Sequence, residues 1–151
     1  MIKIIDISNR KKAADVLNIQ IPSYKVEAEI IGSYEIPPLK DTVHTLQHCG
    51  ETFFGYYENE ILCGVISIKV DDDDDEVDIH RLIVHPNHFR KGIAQLLLNY
   101  IETKFEVETI KVATASKNTP AVRFYKKNGF QNIKELIVNE QLSLTFFEKK
   151  L

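Results

Sequence analysis

The sequence predicts an α/β fold, with helices flanking a mixed, mostly antiparallel sheet. Three observations carry that prediction. Two pairs of apolar runs, at 52–70 and 134–147, are interrupted by short polar turns and read as antiparallel hairpins. Between them, an apolar run ending at Val84 gives way to a helical pattern and then to another short apolar run at 109–113, so helices and strands alternate. Two helical patterns also precede the first hairpin.

Taken in order, Lys3–Asp6 reads as a first strand. Ser8 or Asn9 is placed to cap a helix through Ala13, Ala14, Val16 and Leu17. Pro22-Ser23-Tyr24 opens a second helical pattern with Val26, Ala28, Ile30 and Ile31, which Gly32 ends. Ile36-Pro37-Pro38-Leu39 reads as an irregular turn and Asp41–His48 as a short helix. Strands follow at Thr52–Tyr57 and Ile61–Val70, with Glu58-Asn59-Glu60 as their hairpin turn. Asp71–Glu76 is a run of acids, read as a solvated loop or as a lure for cationic acceptors. Val77–Val84 is a strand, and the apolar face Ala94, Leu97, Leu98, Ile101 and Phe105 marks the next helix. After Thr109–Ala113, a helix spans Thr119–Asn128, with Thr119 as N-cap, Pro120 at N1 and Gly129 just past its end. Lys134–Val138 and Leu142–Phe147 form the final hairpin. The chain shows no internal repeat and no linker, so residues 1–151 read as a single domain.

Composition narrows the function classes. At 151 residues, 44% hydrophobic and 27% charged, the chain has the balance of a soluble globular domain. A net charge of −3 gives no reason to expect a nucleic-acid partner. The apolar run at Met1–Ile5 is too short for a signal peptide or a membrane span, so a cytoplasmic protein with no membrane partner is expected. Cys49 and Cys63 have no metal-ligand spacing. His44 and His48 lie four apart but bring no third ligand, so no metal is expected.

The most informative stretch is LIVHPNHFRKGIAQLLL, from Leu82 to Leu98. It reads as a strand end, a loop broken by Pro86, and a helix start. A helix N-terminus offers unpaired N–H groups and partial positive charge, and so can hold a phosphate. Gly92 and Ala94 let an anion approach the backbone, while Arg90 and Lys91 add charge. A second stretch, Asn118–Phe130, reads as a capped helix with Ala121, Phe124 and Tyr125 on one face.

Together these stretches resemble the GNAT superfamily of acyl-CoA-dependent N-acetyltransferases. Its pyrophosphate signature, Gln/Arg-x-x-Gly-x-Gly/Ala after a Val-x-Pro, is matched at Val84, Pro86, Gly92 and Ala94. Phe89 stands where the signature has Gln or Arg, and Arg90 is the next residue along. The family's second motif, Asn-x-x-Ala-x-x-Phe-Tyr-x-x-x-Gly-Phe, is matched at Asn118, Ala121, Phe124, Tyr125, Gly129 and Phe130. The two motifs occur in order, and the resemblance runs from about Thr52 onward.

The resemblance implies a GNAT-like sheet, acetyl-CoA as co-substrate and direct attack by an amine in a ternary complex. It places the cofactor against Ile83, Val84, Phe89, Arg90, Lys91, Gly92, Ile93, Ala94, Asn118 and Tyr125. A strand that splays near Val84 would admit the pantetheine arm. Tyr125, otherwise a core aromatic, would stabilise the departing thiolate, and Asn118 would hydrogen-bond the pantetheine. Asp78 and His80 lie two apart on a strand and share a face; each is either a base or an exposed strand residue. Tyr24, Glu27, Glu29, Tyr34 and Glu35 make the N-terminal region aromatic and acidic, which suits a cationic amine, free or on a peptide. A non-catalytic acyl-CoA-binding regulatory domain of the same fold is the alternative, and a homodimer is left open.

Overall fold

Asn59 and Glu60 both adopt positive φ, 48° and 67°, and this turn folds β2 (Thr52–Glu58) back on β3 (Ile61–Asp71). The computed structural model describes residues 1–151. Its other strands are β1 (Ile2–Ile5), β4 (Glu76–Val84), β5 (Thr109–Ala115), β6 (Gln131–Ile137) and β7 (Ser143–Lys150), and all seven form one sheet in the order β1-β2-β3-β4-β5-β7-β6. Short turns likewise join β3 to β4 and β6 to β7. Every pairing is antiparallel except β4 with β5. That parallel pair needs a crossover, which α3 (Ile93–Lys104) supplies.

The N-terminal region differs from the sequence expectation. Residues Arg10–Ile31 form one continuous helix, α1, not two. Asn9 caps it, its side chain accepting from the Lys12 N–H, and Gly32 closes it at φ 79°. Pro22 lies inside and leaves the carbonyl at position 18 without its helical donor, at a cost of about 3 kcal/mol. The helix survives because Ala13, Val16, Ile19 and Gln20 before the proline, and Ala28 and Ile31 after it, are all buried. The burial of both halves outweighs the break. The turn expected at Pro37 is a 3-10 helix over Pro37–Lys40, followed by α2 (Val43–Gln47) with a capping box between Thr42 and Thr45.

The core lies on both faces of the sheet. On one, Leu97, Leu98 and Ile101 of α3 pack on Phe54, Ile66, Ile68, Val77 and Ile79. On the other, Val16 and Ile19 of α1 and Leu46 of α2 pack on Phe53, Val65 and Ile83. Ile79 and Ile83 are four apart on one strand and belong to opposite faces. The cause is a bulge: Ile68 pairs with Ile79 while Ser67 pairs with Arg81, which leaves His80 as an extra residue. Gly64 sets the approach of α3, since a Cβ there would lie 2.7 Å from Ile93 Cγ2 and 3.2 Å from the Ile83 carbonyl oxygen.

Candidate active site

The bulge falls where the sheet opens. β4 and β5 pair from Glu76/Thr109 to Ile79/Val112 and then separate, although β4 continues to Val84 and β5 to Ala115. Beyond Ile79 the β5-facing edge of β4 therefore has free backbone groups. The gap widens into a cleft of about 810 Å³, walled by residues 79–84 of β4, residues 112–115 of β5, the C-terminal half of α1 and the starts of α3 and of α4 (Thr119–Lys127).

At one end of the cleft is the N-terminus of α3. Gly92 takes φ 76° as its N-cap and offers no side-chain cap, unlike Asn9, Thr42 and Asn118 on the other α-helices. The first helical hydrogen bond runs from the Leu96 N–H to the Gly92 carbonyl at 3.0 Å. The N–H groups of Ile93, Ala94 and Gln95 are thus unpaired in the protein and lie at the cleft wall. Phe89, Arg90, Gly92, Ile93 and Ala94 line the cleft, together with Ile83 and Val84. Lys91 does not: its ammonium is turned toward His88 Nδ1 at 3.1 Å and Glu58 at 3.6 Å. Arg90 lines the cleft and makes no ion pair within the protein.

Facing it is α4. Its N-cap is Asn118, not Thr119: Asn118 Oδ1 accepts from the Ala121 N–H at 3.4 Å. The Asn118 amide then donates to Glu27 Oε1 of α1 at 2.8 Å. Both ends of this side chain are therefore engaged within the protein. Tyr125 is buried among Phe124, Phe130 and Phe147, with ring centroids 5.3, 5.3 and 5.9 Å away. Its hydroxyl has no hydrogen-bond partner in the protein yet is not sealed from solvent, and Tyr125 lines the cleft. Burial, and secondly the nearby Glu27 charge, push its phenol well above the ordinary value.

Glu27 is the carboxylate that the sequence left among several. Glu29 accepts from Tyr34, and Glu35 pairs with Lys40 at the surface; neither lines the cleft. Glu27 does, and burial raises its pKa against the opposing effect of the Asn118 hydrogen bond. Its prominence depends on α1 crossing the start of α4, and nothing in the local sequence reveals that crossing.

The strand carboxylate lies elsewhere. Asp78 faces an acidic hollow with Asp71, Asp72, Asp73 and Glu76, outside the main cleft. His80 does line the cleft, and it sits between Asp78 Oδ2 at 3.4 Å and Glu51 Oε2 at 3.6 Å. Beside it lies Arg81, whose one signal in the sequence is a cation inside the largely apolar run Ile79–Val84. Its guanidinium donates to Gln20 at 3.0 Å, to Asp41 at 3.0 Å and to Glu51, tying α1 and the α2 region to β4. Cys63, which shows no metal spacing in the sequence, comes near Glu58 and His88, with ligand atoms within 4.8 Å of one another; the Lys91 ammonium contacts both Glu58 and His88. His44 and His48 stack on each other at 4.2 Å without further ligands. No helix is long and apolar enough to cross a membrane.

Residues 13–130, spanning the cleft from α1 to Phe130, match the acetyltransferase (GNAT) family. The chain belongs to that family. It is 40% identical over 148 residues to the UPF0157 protein YqkA of Bacillus subtilis (strain 168), covering 97% of this chain and 43% of YqkA. The chain thus spans less than half the length of that relative. Among solved structures it is similar in fold to the PaiA N-acetyltransferase from Thermoplasma acidophilum in complex with coenzyme A, with a TM-score of 0.78 and 18% identity over 100% of this chain and 99% of that one. The ribosomal-protein-S18-alanine N-acetyltransferase from Escherichia coli also has a TM-score of 0.78, at 14% identity over 99% of this chain and 92% of that one. Both likenesses extend over the whole of the fold described above.

Proposed function

We propose that this GNAT domain transfers an acetyl group from acetyl-CoA to an amine, with both reactants in the one cleft and the amine nitrogen attacking the thioester directly. The observation that carries the reading is the opening beyond Ile79 and Val112, which lies between an uncapped helix N-terminus and the free hydroxyl of Tyr125. The dimensions and chemistry fit the co-substrate. Unpaired N–H groups of Ile93, Ala94 and Gln95, with Arg90, suit a diphosphate. The open β4 edge suits an amide-bearing arm, and the Val84 N–H, which the β3 ladder leaves unpaired, offers a backbone donor where a thioester carbonyl gains charge.

Tyr125 then acts at the leaving sulfur. A phenol held above its ordinary pKa keeps its proton at neutral pH and donates a hydrogen bond to a thiolate without losing that proton outright. His80 lines the same cleft with two carboxylates against it, Asp78 at 3.4 Å and Glu51 at 3.6 Å, and can pass a proton from the cleft to them. The two structures of similar fold are N-acetyltransferases, one of them of a ribosomal-protein alanine, which supports an amine acceptor.

The test is release of free thiol from acetyl-CoA in the presence of a panel of amines. Turnover dependent on both reactants supports the reading. Tight CoA binding without turnover on any amine would favour a regulatory acyl-CoA-binding domain.

A further inference from the structure

Glu27 is the only carboxylate on the wall of the cleft. Every other acid near it already has a cation or a surface position. Asp41 and Glu51 hold Arg81, and Asp78 holds His80. No Lys, Arg or His lies within ion-pair distance of Glu27. Its Oε1 is occupied by the Asn118 amide, so the carboxylate is oriented, while Oε2 has no donor in the protein and is not sealed from solvent. A half-buried carboxylate in that state is poised for a cation from outside.

The surroundings describe that cation further. Toward the far end of α1 the wall becomes apolar, with Ile30, Ile31, Ile36, Pro37, Leu142 and Leu144. A second negative charge for a second ammonium is missing from this wall. The α3 wall, by contrast, presents Arg90 and an open helix N-terminus. The cleft thus carries an open helix N-terminus on α3 and a carboxylate without a cation on α1.

We infer that Glu27 is the acceptor site: it receives the single ammonium of a primary amine with an apolar body and takes that group's proton for the transfer. This deepens the acetyltransferase reading and rests on it. The protons balance as follows. The ammonium gives one proton to Glu27 Oε2, which frees the nitrogen lone pair. Nitrogen forms the C–N bond to the acetyl carbon, the C–S bond breaks with its electron pair on sulfur, and the second nitrogen proton ends on the sulfur beside the Tyr125 hydroxyl. The products are the acetylated amine, CoA thiol and a protonated Glu27, which then gives its proton to water. The raised pKa of Glu27 favours the middle of this sequence.

The experiment uses 2-phenylethylamine, its neutral counterpart 2-phenylethanol, and spermidine as a polycation. The amine alone should raise the melting temperature of the wild type, and the alcohol should not. Glu27→Gln keeps an oxygen for the Asn118 amide, so the variant should fold and still respond to CoA. It should lose the response to the amine, and kcat/KM for 2-phenylethylamine should fall about a hundredfold or more. Glu27→Asp, which restores a shorter carboxylate, should recover part of the amine response. A Glu27→Gln enzyme within threefold of wild type overturns the proposal, and a higher kcat/KM for spermidine than for 2-phenylethylamine overturns the apolar-body assignment. A wild type that fails to respond to CoA at all overturns the acetyltransferase reading itself, and with it this one.

Discussion

Asn118 and Glu27 are 91 positions apart in the chain and 2.8 Å apart in space. Their hydrogen bond joins the start of α4 to the C-terminal half of α1 across one end of the cleft. One side chain thereby caps a helix and orients the cleft's carboxylate. Asn118→Ala should remove both, at a cost of about 1 kcal/mol for the cap alone, measurable as a lower urea midpoint. Asn118→Asp keeps the cap oxygen but sets a second negative charge against Glu27, so it should retain most of the cap energy while pushing Glu27 further up.

The raised pKa of Glu27 makes a second prediction about stability. Its folded form binds a proton more tightly than its unfolded form, so stability falls as pH rises from the ordinary carboxylate value, about 4, toward the folded value. At neutral pH the ionised group is therefore a burden. Glu27→Gln should melt higher than the wild type at pH 7, and the difference should vanish near pH 4. A variant that melts lower at pH 7, with the deficit shrinking near pH 4, would mean that Glu27 has a cation partner in solution.

Asp41 predicts the opposite trend. Burial raises its pKa, but hydrogen bonds from Gln20, Arg81 and Thr45 outweigh that and hold it below the ordinary value. Its stabilisation is present above about pH 4 and lost as pH falls through the folded value. The partner charge is the more severe test. Arg81→Met strands Glu51 and Asp41 beside each other with little solvent, and should cost about 3–5 kcal/mol by denaturant unfolding.

Gly64 connects packing to the cleft. A methyl group there would lie 2.7 Å from Ile93 Cγ2 and press on a backbone carbonyl. Gly64→Ala should cost about 1–3 kcal/mol and shift the start of α3, so the melting-temperature response to CoA should weaken in parallel. Gly92→Asp should abolish that response with little loss of packing, because no atom lies within 4 Å of the new Cβ. The carboxylate and the φ of 76° are its only faults, the latter worth about 1–2 kcal/mol.

Much of this architecture was legible in the residues. The alternation in β3, the polar turn at Asn59, the helix face at Leu97 and Ile101, and the Gly92–Ala94 helix start are local patterns, and local patterns survive folding. The misreadings have physical causes. Pro22 reads as a helix start because its local cost is visible and the burial of Val16, Ile19 and Ile31 on the sheet is not. Thr119 reads as the cap because it directly precedes Pro120, whereas Asn118 is chosen by the geometry of its side chain. The bulge at His80, and the separation of β4 from β5 that begins there, leave no mark on composition or period. Glu27 stands out only once α1 has crossed α4. The sheet could be drawn from the sequence, but the cleft is made by contacts between distant segments.

The account turns on whether the hydroxyl of Tyr125 serves the leaving sulfur. Tyr125→Phe keeps the ring against Phe124, Phe130 and Phe147 and removes only the oxygen. The measurement is kcat for thiol release from acetyl-CoA with the best amine, beside the dissociation constant of acetyl-CoA, for both proteins from about pH 6 to past the ordinary tyrosine pKa of about 10. An interaction made mainly in the transition state lowers turnover without weakening binding. The predicted result is a kcat about a hundredfold to ten-thousandfold lower in the variant, with acetyl-CoA affinity unchanged. Because burial raises the Tyr125 phenol, the wild type should hold its rate beyond the ordinary tyrosine range. A Tyr125→Phe protein that retains full turnover would contradict the account and return Tyr125 to the hydrophobic core.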